Sequence, residues 1–128
     1  MKYICLGYIS ENMWDGWSEK EQQTFVDDCL VYDKTLREGG HFVSGEALQS
    51  VRTATTIRQN AGRVVVTDGP FAETKEQLGG IMVLEAPDLD HAIQLMSKHP
   101  SVRMGGTWEI RPANEQINEL YQKRNDSK

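Results

Sequence analysis

The chain has 128 residues, 38% of them apolar and 26% charged, with 14 Lys and Arg against 19 Asp and Glu for a net charge of −5. That length fits one domain over residues 1–128 with a real core, and the acidic balance speaks against a duplex-binding surface, which needs a basic stripe. No run approaches the roughly 18 apolar residues of a membrane span, and Cys5 and Cys29 fall inside regular elements, as reduced thiols of a cytoplasmic protein would.

The opening MKYICLGYIS is too short for a secretion signal and alternates like a strand. Ile4, Leu6 and Tyr8 face one way, Tyr3, Cys5 and Ile9 the other, so a strand over 2–9 is apolar on both faces. The loop ENMWDGW follows, and Trp14 and Trp17 within it pack over a sheet edge or lid a pocket. Ser18-Glu19-Lys20-Glu21 has the form of a capping box, and Phe25, Cys29, Tyr32 and Leu36 continue at helical spacing until Gly39-Gly40 ends the helix.

Residues 41–48, 52–58 and 63–67 read as a meander of three strands, with Asn60-Ala61-Gly62 as the last turn. Gly80–Ala86 is a further strand. Pro87-Asp88 leads into a helix with Leu89, Ala92, Ile93 and Met96 on one face, stopped by His99-Pro100. A last strand spans 106–111, and Asn114 caps a terminal helix using Ile117, Leu120 and Tyr121; the end, KRNDSK, is expected to fray. The order β-α-β-β-β, then β-α-β-α, predicts an α+β fold of the ferredoxin-like kind, an antiparallel sheet with helices on one face. Its other face is too apolar for water, which predicts a homodimer by sheet stacking.

The stretch 67-TDGPFAETKEQLGG-80 stands between two apolar runs. Asp68 suits an Asx turn, Gly69 an unusual dihedral, Pro70 a fixed φ and Phe71 a buried anchor, while Thr74–Gln77 reads as a helical turn. The functional reading makes Asp68 an acid–base carboxylate, with Phe71, Glu73 and Lys75 around a small-molecule pocket near this loop. Glu46 interrupts an apolar row. It either pairs with Arg52 as a structural salt bridge or points into a cavity for acid–base use, with Arg52 or Lys75 orienting an anionic ligand. His41 opens a strand and is a candidate base if strand pairing brings it to Asp68; His91 and His99 read as solvated or capping groups. Cys29 reads as core packing rather than a nucleophile. No His-x3-His or Cys-x2-Cys pair suggests a metal, and no motif suggests a cofactor.

The segment TDGPFAETKEQLGG resembles the signature of the DGPF-domain branch of the YCII-related (YciI-like) proteins. MKYICLGYIS, LREGG, 45-GEALQS-50, ATTIR and 109-EIRP-112 also fall where that branch has them. The resemblance implies a dimeric α+β barrel with stacked sheets, a bacterial cytoplasmic setting and no established reaction. It also implies a supposed His–Asp site in the wider family, and a frequent link to extracytoplasmic-function sigma factors. A cofactor-free enzyme and a non-enzymatic ligand-binding or regulatory module are both open at this point.

Overall fold

The computed structural model describes residues 1–126. In chain order the elements are β1 (Lys2–Ser10), α1 (Glu19–Glu38), β2 (Phe42–Ala47), a 3-10 turn (Val51–Thr53), β3 (Thr55–Asn60), β4 (Arg63–Asp68), β5 (Glu76–Glu85), α2 (Leu89–Ser97), α3 (Pro100–Arg103), β6 (Thr107–Pro112) and α4 (Glu115–Asp126). Local chemistry sets the helix ends. The Ser18 hydroxyl accepts from the Glu21 N–H at 3.1 Å, while the Ser18 N–H donates to Glu21 Oε1 at 3.3 Å, a complete capping box. Gly40, at φ +77°, turns the chain after α1. Asp88 and Asn114 cap α2 and α4 through the N–H groups of His91 and Ile117, at 2.8 and 3.0 Å.

Four strands form one sheet in the order β2-β5-β1-β6, and every neighbouring pair is antiparallel. With α1 between β1 and β2, and α2 between β5 and β6, this is the ferredoxin-like arrangement. Tyr3 and Cys5 of β1 and Met82 and Leu84 of β5 point to the helix side. There they form one core with Leu36 of α1 and Ala92 and Met96 of α2. Ile4, Leu6, Tyr8, Ile81 and Val83 alternate onto the opposite, open face and are half-buried.

Three local expectations are corrected. β3 and β4 form a separate two-stranded sheet, so residues 41–67 are not a meander: β2 takes β5 as its partner, and the hairpin is left to pair with itself. Thr74–Gln77 is not a helical turn. β5 already begins at Glu76, and the Thr74 hydroxyl donates to the Glu76 carbonyl at 2.5 Å. Pro100 stops α2 but also starts α3, where its missing N–H is harmless at the first helical position.

Candidate functional site

One face of α1 presents Phe25, Cys29, Asp33 and Arg37 at four-residue intervals toward the sheet. Opposite them the sheet is almost without side chains, because Gly7, Gly45, Gly79 and Gly80 come together there. Gly7 shows why: a Cβ on it would stand 2.9 Å from the Trp108 ring, which lies across it. The floor is thus low, α1 forms the roof, and a cavity of about 450 Å³ remains between them. Its volume suits a small molecule. Met13 and Trp14 from the loop before α1 also line it, and Trp14 is held edge-on to Phe25 and Trp17 at 5.5 and 5.2 Å.

Asp33, Arg37, Glu46, His99, Ser101 and Thr107 bring polar groups to this space among its aromatic and aliphatic walls, and Asp33 and His99 stand out. Asp33 Oδ1 is buried and has no hydrogen-bond partner among the described residues. Burial pushes the Asp33 carboxyl above the usual range, and the Arg37 guanidinium partly offsets this. His99 is 6% exposed, and burial holds its imidazole down at about 4, so it is neutral at pH 7. Its Nδ1 accepts the Ser101 N–H at 3.1 Å, which places the proton of the neutral ring on Nε2. Ser101 Oγ lies 2.7 Å from the same Nδ1 and accepts the Trp108 indole N–H at 2.9 Å. The His99 ring is further fixed by edge contacts with Tyr32 and Trp108. Burial, then Asp33 and Asp28, push the Cys29 thiol up to about 11, which keeps it protonated and unsuited to nucleophilic attack. This arrangement can hold a small planar ligand between aromatic walls, offer it a neutral imidazole, and exchange a proton with it through Asp33.

The residues singled out in the sequence lie elsewhere. Asp68 ends β4, is exposed, and its carboxylate accepts no hydrogen bond among the described residues. The expected Asx turn is therefore absent, and backbone bonds hold the bend instead: Gly69 N–H to the Ala54 carbonyl, and the Thr56 hydroxyl to the Gly69 carbonyl, both 2.7 Å. His41 sits before β2, where its Nδ1 is bound to the Glu85 carbonyl at 2.8 Å. The hairpin carrying Asp68 leaves from beyond the other end of β2, so strand pairing does not bring the two together.

Glu46 does not pair with Arg52. Arg52 binds Glu11 instead, at 3.0 Å, because the 3-10 turn carries it toward the end of β1. Glu46 is exposed and borders the cavity near Gly80, with its carbonyl 3.2 Å from the position of a Gly80 Cβ. Phe71 is 75% exposed rather than a buried anchor, beside a hairpin whose own apolar residues Ile57, Val64 and Val66 are also exposed. Glu73, Lys75 and Arg52 do converge, around two adjoining surface recesses of about 450 and 310 Å³ that share Glu11, Arg52 and Thr74. The main cavity takes only Gly79 and Gly80 from the segment 67–80.

Sequence reasoning missed Asp33, His99, Ser101 and Trp108 as a group. An acid four residues after Cys29 and eight after Phe25, on the apolar stripe of a helix, was the available signal for Asp33. His99 does cap α3, as read, but it is not solvated, because Tyr32 and Trp108 enclose it from distant parts of the chain.

Comparison with known proteins gives three findings. The YCII-related domain matches residues 1–116. An uncharacterised protein of Rhizobium meliloti (strain 1021) is 34% identical over 116 residues, covering 88% of this chain and 91% of that one. Among solved structures, the 5-chloro-2-hydroxyhydroquinone dehydrochlorinase of Burkholderia phenoliruptrix AC1100, in complex with 2,5-dihydroxybenzoquinone, is similar with a TM-score of 0.48 and 12% identity. That match covers 91% of this chain and 98% of the other, and nothing about the present site rests on it.

Proposed function

This chain belongs to the YCII-related domain family, and on that premise we propose that it takes a small, planar, uncharged molecule into the cavity under α1, where Asp33 exchanges a proton with it. The observation that carries this reading is the buried Asp33 Oδ1 without a partner among the described residues, in the wall of a cavity that also holds the neutral imidazole of His99 and the guanidinium of Arg37. A buried acceptor left unmatched costs about 1–3 kcal/mol, a cost that a ligand donor or proton would relieve. The mechanism is carboxylate acid–base chemistry by residues of the chain itself. The Nε2–H of His99 orients the ligand, and Trp14, Phe25 and Trp108 exclude water.

The alternative is binding without turnover. It is favoured by the Nδ1 of His99, which Ser101 already occupies, so that Asp33 alone is left to move a proton. A thermal-shift and calorimetric screen of small neutral aromatics, phenol and indole among them, tests the pocket. Binding should weaken about tenfold or more in Asp33→Asn. Equal affinity in wild type and variant would remove Asp33 from the reading. Product formation from a cellular metabolite extract, lost in Asp33→Asn, separates the enzyme from the binding module.

The half-buried apolar residues of the open sheet face support a twofold homodimer by sheet stacking, and the two free cysteines support a reducing, cytoplasmic setting. Sedimentation at micromolar concentration tests the pairing, and a clean monomer would remove it.

A further inference from the structure

The β3–β4 hairpin stands apart from the four-stranded sheet, and its two sides differ. The register pairs Ile57 with Val66 and Gln59 with Val64, which sets Ile57, Val64 and Val66 on one side, exposed by 70, 71 and 63%. The other side carries Thr56, Arg58 and Thr67 with Val65. A hairpin of two strands is marginal in water by itself, and three large β-branched side chains on one face are a surface laid out for contact. The two strands are tied together at their base as well. The Thr56 hydroxyl and the Ala54 carbonyl bind the two ends of the Gly69 backbone, and the Arg58 guanidinium donates to the Phe71 carbonyl. Gly69 has φ +107°, which a side chain would strain. The stretch 69–71 thus continues the closure of the hairpin along β3 beyond the end of β4.

We propose that the hairpin is an arm that closes on a second copy of this chain, an inference that rests on the twofold pairing proposed above. A stable pair needs about 800 Å² from each chain. Ile4, Leu6, Tyr8, Ile81 and Val83 of the open face are half-buried and contribute part of that area. Ile57, Val64 and Val66, together with Phe71 at 75% exposure, supply further apolar surface that is left exposed among the described residues. The arm also springs from the Ala47 and Gly80 end of the same sheet whose open face needs covering, so arm and face form one continuous surface.

Replacing Ile57 and Val66 together by Thr keeps β-branching, and so keeps the hairpin, while removing its apolar contact. Sedimentation over a concentration series should show a dissociation constant raised about tenfold or more, with an unchanged circular dichroism spectrum. A folded variant that pairs as tightly as wild type overturns the arm and leaves the sheet-stacked dimer standing. A wild type that remains monomeric overturns both, and assigns the arm to a different protein. Should the variant fail to fold, hydrogen exchange of the wild type decides. Protection at Ile57 and Val66 that rises with protein concentration supports the arm, and protection independent of concentration overturns it.

Discussion

His99 should give this protein a marked sensitivity to mild acid. Its imidazole is held at about 4 in the folded chain against 6.5 when free, so between those values the unfolded chain binds a proton that the folded one refuses. Stability is therefore fully present above pH 6.5 and falls as the pH drops toward 4, by on the order of 3 kcal/mol from this residue. Asp33 works in the opposite sense: its raised carboxyl takes up a proton more readily in the folded state, so its burial is tolerated better in acid. Denaturant melts from pH 7 to 4 should show a flatter slope in His99→Asn, which can still cap α3; an unchanged slope would assign the acid sensitivity to other groups. A second pair of variants separates backbone support from side-chain chemistry at the bend. Asp68→Ala should leave the melting temperature almost unchanged, since the carboxylate accepts no hydrogen bond among the described residues. Thr56→Val removes the bond to the Gly69 carbonyl and should cost about 1 kcal/mol.

Between elements, the contact that shapes the cavity is Trp108 of β6 lying on Gly7 of β1. Gly7→Ala would set a methyl 2.9 Å from that ring and force it to move, which also breaks the indole bond to Ser101. A loss of about 1–3 kcal/mol is expected, with a change in tryptophan emission. An unperturbed emission spectrum would mean that the ring is not seated as described. This scale also shows what the sequence could convey. The caps at Ser18 and Asn114, the two-faced β1 and the stripe of α1 were legible because each depends on neighbours within a few residues. The hairpin's isolation was not, because it follows from β2 choosing β5, a strand some thirty residues further on, over its own successor β3. The site failed to show for the same reason. Its floor is made of glycines from three strands, and glycines carry no chemical signal; its polar groups come from α1, α3 and β6. The Asp-Gly-Pro-Phe segment drew attention by its composition, whereas its work is done by the backbone of Gly69 and Phe71.

For the molecule as a whole, the two sheets should differ in how firmly they are held. Cys5 and Met82 lie in the core, while every residue of β4 is exposed. In dilute protein, amides of β1 and β5 should exchange only on global unfolding and those of β3 and β4 through local opening. Native-state hydrogen exchange reads this directly, and equal protection would mark one cooperative unit. The hairpin's position in the chain also bears on the route to the native state. Ala47 and Gly80 face each other across β2 and β5, so the chain leaves the sheet and returns to the same place after roughly thirty residues. Closing that loop while it is floppy costs entropy, and each doubling of its length adds about 0.6 kcal/mol. A hairpin can form within about 1–10 μs, and once formed it shortens the slack before β2 must find β5. The Ala61-Gly62 turn, at φ +51° and +80°, then acts as a pacemaker: Gly62→Ala should slow refolding while leaving the unfolding rate nearly untouched.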